Sequence, residues 1–331
     1  MAFIDEIKAK ARECKKTIVL PESMDKRTFA AAANVLAEGV ADLIIIGTPE
    51  EVAANSEGYD ISAATIINPF ESEKTQVYVD ALVELRKSKG MTAEQAYTLL
   101  TTDYMYYACM MVKLGDADGV VSGACHSTAN TLRPSLQILK TKPGTKLVSS
   151  FFIMVVPDCE YGANGTFVFS DCGLCQNPTS EELAAIAASS AESFKSLVGE
   201  EPLVAMLSHS SKGSAKHADI DKVTAAVAIA HEQYPDIKLD GELQLDAAIV
   251  PEIGASKAPG SDVAGKANVL VFPDLDAGNI GYKLVQRLAK AEAYGPMCQG
   301  IAKPVNDLSR GCSAADIEGV IAFTAVQAQM M

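Results

Sequence analysis

The stretch 118-DGVVSGACHSTANTLRP-134 carries the pattern on which the fold prediction rests. Its small and apolar residues predict a buried strand that breaks at Gly123, and hydroxyl side chains then lead to Arg133. In open α/β sheets, ligands bind at the carboxyl ends of strands, where glycine lets backbone N–H groups approach an anion. The stretch therefore predicts an anion site, with a plain loop capping the next helix as the alternative. The hydroxyl residues concerned are Ser122, Ser127, Thr128 and Thr131.

Strands and helices alternate outward from this stretch. The runs TIVLP (17–21), DLIIIG (42–47) and ATIINP (64–69) predict strands separated by helices, and continuous Val/Ile-rich strands are typical of a parallel sheet covered by helices. In the middle of the chain, further strands are predicted, two of which are close enough for an antiparallel pair: KLVSSFFIMVV, GTFVFSD, LVAMLS, IKLDGEL and NVLVFPD. The 331 residues fit an α/β protein of two domains.

Composition and charge argue against several function classes. The net charge of −14 and the absence of a Lys/Arg run disfavour binding to nucleic acid or anionic lipid. No run of about 18 apolar residues is present, and the opening MAFIDEIKAKARECKK lacks the apolar core of a signal peptide. We therefore expect a cytoplasmic protein, not bound to membranes, whose eight cysteines are reduced.

Three features that suggest metal or nucleotide chemistry are weak. The motif 172-CGLC-175 has no second ligand pair nearby and is followed by the loop QNPTS. The stretch 260-GSDVAGK-266 begins like a phosphate-binding P-loop, but Ala267 stands where Ser or Thr is needed, and a predicted strand follows. None of the four histidines forms an H-E-x-x-H pair. We expect no metal.

A second candidate anion site lies near the end of the chain, in 304-PVNDLSRGCSAADI-317. A predicted loop holds Asn306, Asp307, Ser309 and Arg310 and leads into a helix, whose N-terminus attracts anions. The guanidinium of Arg310 suits phosphate or carboxylate. Ser313 and Asp316 also have the spacing of a helix capping box, and spacing alone favours that role over catalysis.

Six blocks, taken together and in order, resemble the phosphate acetyltransferase family in its short, single-module form. They cover nearly the whole chain: VLPESMDKR (19–27), the quoted 118–134 stretch, NPTSEELA (177–184), LDGELQLDAAIVPEIG (239–254), FPDLDAGNIGYKLVQRL (272–288) and GIAKPVNDLSRGCSAADI (300–317). The resemblance implies two α/β domains with a cleft between them, similar to the isocitrate and isopropylmalate dehydrogenase fold. It implies a first domain of residues 1–145 plus 295–331 and a second of 146–294.

The resemblance also implies an activity, the reversible transfer of an acetyl group between coenzyme A and phosphate in acetate and acetyl-CoA metabolism. Asp316 would be the base for the CoA thiol, or would orient the thiol and Arg310, because a carboxylate beside an arginine at a helix N-terminus is a weak base. Arg310 would bind the phosphoryl group and polarise the carbonyl, and Ser309 would stabilise the oxyanion. The implied phosphate or CoA ligands are Arg133, Ser127, Thr128, Thr131 and, on a less specific pattern, Arg86.

Several further expectations complete this interpretation. Coenzyme A would be a substrate, so no cofactor is expected, and the protein would be a homodimer that binds acetyl-CoA, phosphate and acetyl phosphate. Arg133 and Arg310 would bind the phosphoryl group from opposite domains. The thiol would attack directly in a ternary complex, because it is already a strong nucleophile. The alternatives are a phosphate butyryl- or propionyltransferase, a metal-dependent NAD-linked decarboxylating dehydrogenase, and an inactive acidic binding protein.

Overall fold

The computed structural model describes residues 3–331, and the chain divides into two compact units. One unit ends at Pro143 and resumes over Ile301–Met331, and the other is Gly144–Gly300. The expected second boundary, after residue 294, falls six residues before Gly300. The difference arises because Glu292–Gln299 pairs as a strand within the sheet of the second unit.

Parallel strands alternate with helices in the first unit up to residue 143. The strands are β1 (Thr17–Leu20), β2 (Asp42–Ile46), β3 (Thr65–Ile67) and β4 (Gly119–Ser122). The helices are α1 (Phe3–Glu13), α2 (Lys26–Glu38), α3 (Pro49–Asn55), α4 (Thr75–Leu85), α5 (Ala93–Thr102), α6 (Tyr104–Leu114) and α7 (Thr128–Ile138). β1, β2 and β4 are almost entirely buried, as a parallel sheet covered by helices requires.

The second unit contains a mixed sheet. Its strands are β5 (Ser149–Val155), β6 (Thr166–Ser170), β7 (Val204–Leu207), β8 (Leu239–Leu243), β9 (Val269–Val271) and β10 (Glu292–Gln299). Its helices are α8 (Ser180–Leu197), α9 (Ala218–Gln233), α10 (Leu245–Ile249), α11 (Pro251–Lys257) and α12 (Leu275–Leu288). The strand order is β10-β5-β6-β9-β7-β8, and β5 runs antiparallel to both neighbours. The predicted antiparallel pair is therefore confirmed.

The C-terminal segment completes the sheet of the first unit with β11 (Val305–Asp307) and helix α13 (Ala314–Gln329). β11 pairs in parallel with β4, giving the order β11-β4-β1-β2-β3. The prediction that Asn306 and Asp307 lie in a loop is wrong, because both belong to this buried strand and Asn306 bonds Thr324 of α13 at 2.8 Å. A three-residue strand with two polar side chains lacks the apolar run that identifies strands in sequence.

Helix boundaries follow from local capping signals. Asp25 accepts a hydrogen bond from the backbone N–H of Arg27 at the start of α2, and Gly39 ends that helix with φ of 66°. Thr179 and Glu182 form a capping box at the start of α8. Short-range contacts of this kind set the ends of these helices.

The features judged weak as metal or nucleotide sites have structural explanations. Strand β9 follows the 260–266 stretch, as expected, where a P-loop would need a helix. Cys172 is buried, and the Cys175 thiol donates to the carbonyl of Val148 at 3.5 Å. Within residues 3–331, no three His, Cys, Asp or Glu side chains are grouped to hold a metal ion. Over the same residues, no helix is long and apolar enough to span a membrane.

Candidate active site

The loops after β1, β4 and β11 lie side by side at one edge of the first unit's sheet. These three parallel strands are neighbours, so their carboxyl ends meet at the same edge. Asp307 at the end of β11 is in register with Ser122 at the end of β4. The two sequence stretches predicted to bind anions are therefore brought together, although about 180 residues separate them in the chain.

Gly123 lets the loop after β4 pass against the end of β11. Its φ is +116°, and a Cβ at this position would lie 2.4 Å from both Asp307 Oδ1 and Leu308 N. The N–H of Leu308 donates to the carbonyl of Ser122 at 2.7 Å, which holds the two chain segments in this contact. Only glycine combines this φ with so close an approach.

The carboxylate of Glu22, which follows β1, fills the loop after β4. It accepts four backbone N–H groups, from Gly123, Ala124, Cys125 and His126, at 2.8–3.1 Å. Burial alone would raise the pKa of this carboxyl, but hydrogen bonds from His126 and the Cys125 N–H lower it overall. The expectation that these N–H groups bind an external anion is wrong, because an internal carboxylate occupies them.

Arg27 joins the loop after β11 to the loop after β4. Its Nη1 donates to the carbonyls of Arg310 and Cys312 at 2.9 and 2.7 Å. Its Nη2 donates to the carbonyl of Ala124 at 3.0 Å and forms an ion pair with Asp25. One guanidinium therefore fixes the backbone on which Arg310 is carried.

The three residues predicted to be catalytic lie on this loop and at the start of α13. Ser309 and Arg310 are exposed, and Ser309 Oγ accepts from the N–H of Gly311 at 3.3 Å. Asp316 is also exposed and forms the capping box with Ser313, whose N–H and hydroxyl donate to Asp316 Oδ2 at 2.7 and 2.9 Å. The helix-capping alternative thus describes the contacts of Asp316.

The predicted phosphate-binding residues are divided between the surface and the interior. Ser127 caps α7 by accepting from the N–H of Asn130 at 3.3 Å, Thr128 is exposed at that end of the helix, and Arg133 is exposed further along it. Thr131 is fully buried, and its hydroxyl lacks a hydrogen-bond partner among residues 3–331. Thr131 therefore does not belong to the exposed group.

Arg86 and Arg133 both act on Tyr106. Burial raises the pKa of the Tyr106 phenol and Asp103 raises it further, whereas the positive charges of Arg133 and Arg86 lower it. Arg86 thus shares an electrostatic neighbourhood with Arg133. Arg133 and Arg310 belong to the same unit, so the expectation that they approach from opposite domains is wrong. The reason is that the C-terminal segment returns to the first sheet.

A cavity of about 480 Å³ lies at the same sheet edge. Its wall includes the side chains of Met24, Phe70, Asp103, His126 and Asn130. Burial raises the pKa of Asp103, although the charges of His126 and Arg133 oppose that rise. The cavity thus combines apolar surface with a few polar groups, which is typical of a small-molecule site.

Asp307 is the buried acid beneath this site, with 4% of its surface exposed. Burial raises the pKa of its carboxyl, and the nearby hydroxyls of Thr128 and Thr131 oppose that rise. The geometry nevertheless leaves Asp307 Oδ1 without a hydrogen bond among residues 3–331. Ser122 is in register with Asp307, and its buried hydroxyl also has no hydrogen-bond partner among residues 3–331.

Sequence reasoning missed three residues that organise the site: Glu22, Arg27 and His126. Glu22 and Arg27 lie in the VLPESMDKR block, and His126 lies in the 118–134 stretch. Their contacts join residues about 100 to 285 positions apart, so no local spacing identifies them. The only sequence signal was their place within the family-like blocks.

Comparison with known proteins gives the class of this protein. The chain belongs to the family described as "Phosphate acetyl/butaryl transferase", whose model matches residues 2–325. It is 60% identical to the phosphate acetyltransferase of Acetivibrio thermocellus over 329 residues, 99% of each chain. It is 53% identical to that of Clostridium acetobutylicum over 331 residues, again 99% of each. The predicted family is confirmed.

Solved structures agree with this assignment. A phosphotransacetylase from Streptococcus pyogenes is 47% identical with a TM-score of 0.93, covering 100% of this chain and 99% of that one. The EutD phosphotransacetylase from Staphylococcus aureus is 44% identical with a TM-score of 0.91, covering 98% of each. A 4-hydroxythreonine-4-phosphate dehydrogenase from Klebsiella pneumoniae, 12% identical with a TM-score of 0.53 over 95% and 100%, shares the fold alone. The predicted dehydrogenase-like α/β fold is confirmed.

Substitution of Gly123 tests the close contact between the loops after β4 and β11. We expect Gly123→Ala to lower the free energy of unfolding by about 2 kcal/mol more than Gly90→Ala, because overpacking adds to backbone strain. Gly90 is a matched control in the same unit, with φ of +71° and no atom within 4 Å of an added Cβ. Urea denaturation followed by circular dichroism measures both variants, and equal losses would contradict the contact.

Proposed function

We propose that the protein is a phosphate acetyltransferase that reversibly transfers an acetyl group between coenzyme A and phosphate. The supporting observation is that Arg133, on the helix α7 that follows β4, and Ser309 and Arg310, in the loop that follows β11, come after neighbouring parallel strands of one sheet in a family member. Relatives 44–60% identical over nearly the whole chain bear the name phosphate acetyltransferase. The family description also covers butyryl transfer, so a phosphate butyryl- or propionyltransferase is the alternative, to be separated by relative rates with acetyl- and butyryl-CoA.

The two arginines bind the phosphoryl group in this proposal. Arg133 and Arg310 are exposed positive charges in a chain whose net charge is −14, so they supply the local attraction that the rest of the surface opposes. Ser127 and Thr128 lie at the start of α7, where their hydroxyls and the positive end of the helix dipole favour a bound anion. Arg86 binds the negative charge of CoA or of phosphate. Thr131 has a buried hydroxyl and supports the site without being exposed in it.

Ser309, Arg310 and Asp316 act on the acetyl group and the thiol. Arg310 and the Ser309 hydroxyl stabilise the oxyanion that develops on the carbonyl oxygen. Asp316 holds the start of α13 through Ser313 and thereby orients the thiol and Arg310. The thiol attacks the carbonyl carbon directly while both substrates are bound, which needs neither a cofactor nor a metal.

The proposal extends to assembly and location. We infer a cytoplasmic homodimer that binds neither nucleic acid nor membranes. Ile280, Leu284 and Leu288, spaced four residues apart on α12, are 58%, 52% and 80% exposed, and such an apolar stripe suits contact with a second copy of the chain. The acidic net charge supports the absence of nucleic acid.

The activity itself is tested with purified protein, acetyl phosphate and CoA, without added metal. We expect acetyl-CoA to form. With CoA rigorously absent, labelled phosphate should not enter acetyl phosphate, because direct transfer forms no acetyl-enzyme. Exchange at a rate comparable to turnover would exclude the direct mechanism, and absence of acetyl-CoA would exclude the proposed function.

Substitution of Arg310 tests the phosphoryl contact. Arg310→Ala should lower kcat/KM by about 100-fold or more, the usual effect of losing a charged transition-state contact. Arg310→Lys should not restore it, because the two-pronged guanidinium is lost. Arg12→Ala, which removes an exposed arginine of α1 that pairs with Glu38 of α2, is the control. Near-normal kinetics in either Arg310 variant would contradict this role.

Substitution of Asp316 separates orientation from proton transfer. We expect Asp316→Asn to cost about 1 kcal/mol of stability or less, because asparagine can still accept in the cap. We expect kcat to fall about tenfold, less than the 100-fold or greater loss typical of a missing general base. Thermal unfolding and kcat are measured on the same sample. A normally folded variant that turns over 100-fold more slowly would make Asp316 the base.

A further inference from the structure

Three buried oxygen atoms near the ends of β4 and β11 have no hydrogen-bond partner among residues 3–331. They are Ser122 Oγ, Thr131 Oγ1 and Asp307 Oδ1. Ser122 and Thr131 have no exposed surface, and Asp307 is 4% exposed. Arg86 Nε is the one other buried side-chain atom of this kind in the described part of the chain, so these unpaired atoms are concentrated in one place.

The three side chains come from segments that pack against one another. Asp307 is in register with Ser122 on the neighbouring parallel strand, so both side chains extend from the same face of the sheet. Helix α7, which carries Thr131, packs against β11. The Thr131 hydroxyl is close enough to oppose the rise in the pKa of the Asp307 carboxyl, although no hydrogen bond joins Thr131 Oγ1 to Asp307 Oδ1.

Three unpaired buried oxygens in neighbouring segments indicate one shared partner. A buried polar group without a hydrogen bond is costly, and oxygens too far apart for a direct bond are commonly bridged by water. A buried water makes two to four hydrogen bonds, whereas a hard cation takes about six or more oxygen ligands. Three oxygens therefore match one water. The side chain of Asp307 is also held in place, because an added Cβ at Gly123 would lie 2.4 Å from Asp307 Oδ1.

We propose that one ordered water molecule binds between Ser122, Thr131 and Asp307 and holds α7 against β11. The hydroxyls of Ser122 and Thr131 donate to the water oxygen, and the water donates a hydrogen to Asp307 Oδ1, so all three atoms are paired. Thr131 thereby supports the exposed residues of α7 without being exposed itself.

The water joins the two segments that carry the proposed phosphate ligands. Thr128 and Arg133 lie on α7 together with Thr131, and Arg310 follows Asp307 in the loop after β11. Loss of the water would allow α7 to shift relative to the loop that carries Arg310. The expected effect on phosphate binding rests on the proposed function, whereas the binding of the water does not.

The first test is Thr131→Val, because valine keeps the branched shape of threonine and lacks the hydroxyl. If the hydroxyl bonds a water, the melting temperature should fall by about 2–4 °C. If it has no partner at all, the same change removes an unpaired buried polar group and should raise the melting temperature, which would overturn the proposal. Thr75→Val is the control, because Thr75 is 5% exposed in the same unit and its hydroxyl donates to the carbonyl of Pro69 at 2.6 Å. It gives the loss expected for a bonded threonine.

Two further measurements ask whether the hydroxyls share one water. Ser122→Ala combined with Thr131→Val should cost less than the sum of the single losses, because the first substitution already displaces the shared water, and full additivity would overturn the shared site. In the wild-type protein, a high-resolution crystal structure should show a density peak within hydrogen-bonding distance of all three oxygens. Replacing potassium chloride by tetramethylammonium chloride should leave the melting temperature unchanged. A dependence on potassium would overturn the water in favour of a cation.

Kinetics separate a positioning role from a purely structural one. In acetyl phosphate formation, Thr131→Val should raise KM for phosphate about threefold or more with a smaller change in kcat, because misplaced ligands weaken binding in the ground state and the transition state alike. Thr75→Val should keep the wild-type KM. An unchanged KM in a destabilised Thr131→Val protein would overturn the positioning role. A wild-type protein that forms no acetyl phosphate would instead remove the proposed function, while the melting temperatures would still decide whether the water is bound.

Discussion

The buried carboxylate of Glu22 is the interaction on which the site depends. A strand that ends in a glycine turn leaves several N–H groups pointing into one space, and buried N–H groups must be paired. Glu22 pairs four of them and His126 as well, so the ends of β1 and β4 are held as one rigid piece. The exposed residues Ser127 and Thr128, at the start of α7, follow directly from that fixed backbone.

The second unit uses the same device twice. Asp171, which follows β6, accepts the N–H groups of Gly173, Leu174 and Cys175 and is 3% exposed. Glu242 in β8 accepts the N–H of Gly213 and the hydroxyl of Ser210. The C-x-x-C spacing at 172–175 thus belongs to a loop folded around an aspartate. Internal acids at strand ends also explain how an acidic chain can keep its loops ordered.

Arginines have two distinct roles in the first unit. Arg27 has a structural role, because its guanidinium nitrogens bond three backbone carbonyls and Asp25. Arg133 on α7 and Arg310 in the loop after β11 remain exposed. The fixed arginine holds the backbone of the exposed Arg310, which is the preorganisation that the contact proposed for Arg310 would require.

Most strands and helices can be predicted from the chain alone, because the signals for them are local. Apolar runs such as TIVL and DLIII predict strands. Asp25, Gly39 and the Thr179–Glu182 pair mark the ends of helices. β10, broken by Gly295 and Pro296, and the short polar β11 lack such signals. The contacts of Glu22 with the predicted anion loop and with His126 arise only when the chain folds. The partners are about 100 residues apart, and a buried charge is placed by the N–H groups that surround it rather than by its neighbours in the chain.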